Sequence, residues 1–67
     1  MNKKEFEEGF KKIIKKRKVV YVELKNSDTI IADAYLDNEY GDYKSVWLRR
    51  DDYYVALINY SHVGVLY

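Results

Sequence analysis

The chain has 67 residues, no Cys, no Pro, a single His and a formal net charge of +1. That length makes one domain, and a domain so small buries only about 60% of the surface its unfolded chain exposes. Without Cys and with one His, disulfides and a zinc site of the usual ligand set are excluded, so self-association is the remaining way to reinforce a small core.

Residues 2–17 read as a helix. Asn2 is a suitable N-cap, and Glu5 three residues on completes a capping-box pattern. Met1 and Phe6 are placed for a hydrophobic staple. Phe6, Phe10, Ile13 and Ile14 share one apolar stripe. Glu5, Glu7 and Glu8 lead and Lys15, Lys16 and Arg17 trail, which suits the helix dipole. Glu7 with Lys11 and Glu8 with Lys12 are spaced as i,i+4 ion pairs. Residues 1–18 hold eight basic and three acidic side chains, whereas residues 19–67 hold four basic and eight acidic. This asymmetry points to a polyanion surface or to one half docking on another. The run Lys11, Lys12, Lys15, Lys16, Arg17 and Lys18 is either a contact for nucleic acid or acidic lipid or a solvated face whose Lys stems cover apolar surface.

Residues 19–25 and 29–36 alternate apolar and polar positions around the turn Asn26-Ser27-Asp28, which predicts a β-hairpin. Val20, Val22, Leu24, Ile30, Ala32, Ala34 and Leu36 fall on its inner face. Tyr21, Glu23, Ile31, Asp33 and Tyr35 fall on its outer face. Residues 37–43 form a loop whose Asp37, Asn38, Glu39 and Asp42 carry oxygen ligands but lack EF-hand spacing, so no metal site is expected. Tyr40 and Tyr43 in that loop can stack on bases or on the loop's own base.

Residues 44–50, 53–60 and 63–67 read as three further strands, with Asp51-Asp52 and Ser61-His62 as turns. Val46 and Leu48 face inward, and Ser45, Trp47 and Arg49 outward. The run from Tyr53 to Ile58 is apolar on both faces, so both faces need cover, and a second subunit is the simplest source. No nucleophile stands with a base, and no Gly-rich phosphate loop or cofactor motif is present, so the chain is not expected to be an enzyme or to take a small-molecule substrate. No apolar run has the length of a membrane span, and a soluble, cytoplasmic protein is expected.

One helix and five short strands make a mainly β protein, a small closed barrel of SH3-like type. The segment K-V-V-Y-V-E-L-K-N-S-D-T-I-I-A-D-A-Y-L-D resembles the first motif of the Sm-like family, which includes the Sm, LSm and Hfq proteins. The segment Y-Y-V-A-L-I-N-Y-S-H-V-G-V-L resembles its second motif. Ser27 and Ala32 stand where the family commonly has Gly, and Ser61 stands where Hfq proteins carry Lys. The resemblance implies a homo-oligomeric ring, built by pairing residues 53–60 of one copy with 63–67 of the next, that binds single-stranded RNA. It implies base stacking by Tyr40 and Tyr43, polar base contacts by Asn38 and Asp42, and pore-side positions for Tyr60 and His62. Two other readings compete. One is an SH3-like module binding DNA through Trp47, Arg49, Tyr21 and Tyr35; the other is a protein-interaction subunit that uses the Tyr-rich acidic half.

Overall fold

The computed structural model describes residues 1–38 and 44–67. Helix α1 spans Lys3–Arg17. Asn2 Oδ1 accepts the Glu5 N–H at 2.8 Å and Glu5 Oε1 accepts the Asn2 N–H at 3.2 Å, so the capping box is closed. Lys18 ends the helix in the left-handed region, at φ 68°, with its N–H bonded to the Ile14 carbonyl. Phe6 and Phe10 are buried, while Ile13 and Ile14 pack at the core's margin. Gly9 allows close approach to the sheet, since a Cβ there would stand 3.1 Å from Leu66 Cδ1.

Six strands follow: β1 Val20–Leu24, β2 Thr29–Ala32, β3 Ala34–Asp37, β4 Ser45–Arg50, β5 Tyr53–Asn59 and β6 Val63–Leu66. A 3-10 turn, Tyr60–His62, joins β5 to β6. The strands make two antiparallel three-stranded sheets, in the orders β2-β1-β6 and β3-β4-β5. The protein is therefore mainly β with one N-terminal helix, but the closed five-stranded barrel expected from the sequence is not formed. Among the described residues β5 pairs with β4 and β6 with β1, so each leaves one edge unpaired.

The expected strand 29–36 is two strands, broken at Asp33. Its N–H donates to the Arg49 carbonyl at 2.9 Å, and its Oδ2 accepts the Asp51 N–H at 2.9 Å. These bonds hold the corner between the two sheets. Because side chains alternate along a strand, a break of one residue inverts every position beyond it. Tyr35, expected outside, packs on Phe6 and Phe10 with ring centroids 5.5 and 5.0 Å away. Leu36, expected in the core, is 48% exposed.

Two bulges shape the ends. Glu23 faces Val65 and Leu24 faces Val63, leaving Gly64 as the extra residue in β6. Leu48 faces Ala56 and Arg49 faces Tyr54, leaving Val55 as the extra residue in β5. The core comprises Phe6, Phe10, Val20, Val22, Ala32, Val46, Leu48, Ile58, Tyr60 and Val63.

Candidate nucleic-acid interface

The apolar stripe of α1 turns inward and leaves its other side to cations. Lys11, Lys12, Lys15, Lys16, Arg17 and Lys18 are all exposed. No acid lies between Glu8 and Glu23, so nothing in the local sequence neutralises them. The expected pairs of Glu7 with Lys11 and Glu8 with Lys12 do not form. Glu7 is drawn instead to Lys3, at 3.9 Å, and lies beside the Tyr35 hydroxyl. The six cations at the helix end thus make no ion pair among the described residues. Next to them, Lys12, Lys16 and Arg17 share a shallow groove with Ile13, Leu66 and Tyr67.

A second polar groove opens at the other end of α1. Lys3, Lys25, Lys44, Asn59 and Ser61 line it, and Tyr60 contributes to its wall. The 3-10 turn is held from several sides. Asn59 Oδ1 accepts the Ser61 N–H at 2.9 Å and the Ser61 hydroxyl at 2.8 Å. The Lys25 N–H donates to the His62 carbonyl and the Tyr60 N–H to the Lys44 carbonyl, both at 2.8 Å. His62 is exposed and shares a neighbouring hollow with Leu24, Lys25 and Asn26. Lys25 therefore stands between the two hollows. An anionic chain crossing here meets ammonium groups, amides and a hydroxyl already set in place, which suits backbone phosphates.

Beside this groove lies a part-buried clasp. Tyr60 is 4% exposed, and its hydroxyl donates to Asp37 Oδ1. Asp37 Oδ2 meets Lys3 Nζ at 3.0 Å. The clasp joins the end of β3, the 3-10 turn and the start of α1. The bond from Tyr60, with help from Lys3, holds the Asp37 carboxyl below its usual pKa against the opposing effect of burial. Burial and then the Asp37 carboxylate push the Tyr60 phenol well above its ordinary value. Burial, then the Glu7 and Asp37 carboxylates, likewise raise Tyr35.

These placements sort the residues singled out by sequence. Lys11, Lys12, Lys15, Lys16, Arg17 and His62 are exposed and accessible to a ligand. Tyr60 is buried at the wall of the polar groove: its ring belongs to the core and its hydroxyl donates to Asp37. Asn38 is half-buried, and its Nδ2 donates to Ser45 Oγ at 3.2 Å. Tyr40, Asp42 and Tyr43 lie outside the described residues. The helix cations occupy the second half of α1, whereas His62 lies in the 3-10 turn near the start of α1. Lys3, Lys25 and Lys44 carried no signal in the sequence, because separate segments bring them together.

The opposite face of the molecule differs in character. On the outer side of β3-β4-β5, Leu36 pairs with Trp47 and Trp47 with Leu57. Tyr54 stands edge-on to Trp47 at 5.3 Å, and the Arg49 guanidinium lies 5.0 Å from the centre of the Tyr54 ring. Tyr35 does not share this face; Tyr54 takes the place expected for it. No family model, curated protein or solved structure matches the chain. The resemblance to Sm-like proteins rests on the chain's own residues. Among the described residues no group of His, Cys, Asp and Glu is placed to hold a metal, and no helix is long and apolar enough to cross a membrane.

Proposed function

We propose that this chain is a non-enzymatic, Sm-like RNA-binding protein that works as a homo-oligomeric ring in the cytoplasm. The observation that carries the RNA reading is the cation set Lys11, Lys12, Lys15, Lys16, Arg17 and Lys18, exposed and without an ion pair among the described residues, at the end of a helix docked on the sheet. Single-stranded RNA runs its phosphates along these side chains, and the polar groove of Lys25, Lys44, Asn59 and Ser61 with neighbouring His62 takes a second stretch. Assembly is supported by the unpaired edges of β5 and β6: among the described residues, five of the seven exposed large apolar side chains, Tyr53, Tyr54, Val55, Leu57 and Val65, lie on these strands, and Tyr67 directly follows β6. Pairing β5 of one copy with β6 of the next satisfies both edges and completes the barrel across the junction. The bent path β2–Asp33–β3, which joins the sheets into the sequence β6-β1-β2/β3-β4-β5, fits this Sm-like arrangement.

Fluorescence anisotropy with short U-rich and A-rich RNAs tests the reading. Affinity is expected to fall steeply with salt. The double substitution Lys12→Glu, Lys16→Glu should weaken binding and lower the log–log salt slope by about 1.4, from about 0.7 per lost phosphate contact. An absence of binding at low salt removes the RNA reading.

A further inference from the structure

We infer that the outer face of β3-β4-β5 is a second self-association surface, on which another copy docks face to face about a twofold axis. Edge pairing leaves this face unexplained. Leu36 lies on β3, at the opposite edge of this sheet from β5, and it is 48% exposed. Leu57, in the same cross-strand row, is 47% exposed, and Tyr54 in the next row is 54% exposed. Trp47 stands between the two leucines, so one row carries three large apolar side chains, and apolar side chains grouped in this way on a surface mark interaction sites.

The order of its rows selects the occupant. Leu36, Trp47 and Leu57 form the middle row. Arg49 lies to one side of it, and Asn38 and Ser45, with uncharged oxygens, lie to the other. A twofold axis along the middle row sets leucine on leucine and Trp47 on its copy. The same rotation carries Arg49 of each chain over the oxygens of the other chain's Asn38 and Ser45. A patch that is complementary to itself in this way is what an isologous contact requires. Nucleic acid fits poorly here, since Asp33, Asp51 and Asp52 stand at the Arg49 end and repel phosphate.

This contact is independent of edge pairing, and mass measurement separates the two. Native mass spectrometry on the whole chain should show an assembly that Leu36→Glu splits into halves, with RNA affinity kept within about twofold. Leu36→Gln gives the same reading should the glutamate variant fail to fold. An unchanged mass overturns the contact, as does lost RNA binding at unchanged mass, which gives the face to nucleic acid. Val65→Lys reports on the β6 edge alone. If it leaves the mass untouched while Leu36→Glu turns a dimer into monomers, edge pairing falls and the facial contact stands.

Discussion

Tyr60 shows how one hydroxyl can organise three segments. It reaches Asp37 at the end of β3, and Asp37 in turn holds Lys3 on α1. A hydrogen bond to a charged acceptor is worth about 1.5–3 kcal/mol when sheltered. The Asp37 side chain keeps 28% of its exposure, so Tyr60→Phe is expected to cost nearer 1 kcal/mol. The cost also has a pH signature. The folded carboxyl titrates below its unfolded value, so its contribution is complete above the ordinary carboxylate pKa. It fades as pH falls through the lower, folded value. Urea unfolding of wild type and Tyr60→Phe should differ near neutrality and converge in acid, once the pH lies below the folded value. A difference that persists undiminished in acid would mean the phenol acts through packing alone. Turn residues offer a second test. Ser27 sits at φ 76° with an exposed side chain, where an L residue is strained by roughly 1–2 kcal/mol. Ser27→Gly gives back part of that gain through the more flexible unfolded chain. It should still raise Tm by a few degrees in calorimetry.

At the scale of elements, helix α1 was legible almost to the residue. Its cap, its apolar stripe and its charge order all agree, and local signals of that kind do not depend on the rest of the fold. The kink at Asp33 was not legible. The run T-I-I-A-D-A-Y-L alternates without interruption, and an acid in an outward slot looks ordinary. The break comes from bonds to Arg49 and Asp51, residues distant in sequence, and it inverts Tyr35 and Leu36 together. The candidate site divides along the same line. The contiguous helix cations could be read directly, whereas Lys25 and Lys44 meet only through topology. Gly9 ties helix to sheet. Gly9→Ala should bring about 1 kcal/mol of helix propensity, but its Cβ would press on Leu66 at 3.1 Å. In a Leu66→Ala background that pressure is gone. A double-mutant cycle by urea unfolding should therefore show Gly9→Ala stabilising the variant more than the wild type. Equal effects in both backgrounds would mean that Leu66 gives way at no cost.

For the whole molecule, the apolar side chains left outside form an orderly set. Among the described residues, four of the seven lie on β5 and one on β6, Tyr67 directly follows β6, and Leu36 lies on β3 in the row that leads to β5. A chain of 67 residues buries too little of itself to be generous with stability. If, as proposed, both open edges and the apolar outer face meet another copy, folding becomes linked to association. By mass action, the thermal midpoint of such a protein rises with its concentration. Differential scanning calorimetry over a hundredfold range of chain concentration should show that rise. Val65→Lys places a charge on the β6 edge, the device by which sheet edges resist pairing. This variant should melt lower than wild type and with weaker dependence on concentration. On the proposed ring reading it should also bind RNA less tightly, because an assembled ring would offer many cationic helices to one strand and a separated chain only one. A midpoint independent of concentration, in wild type as in Val65→Lys, would show that the edges stand alone and that the exposed strands contribute nothing to stability through a neighbour.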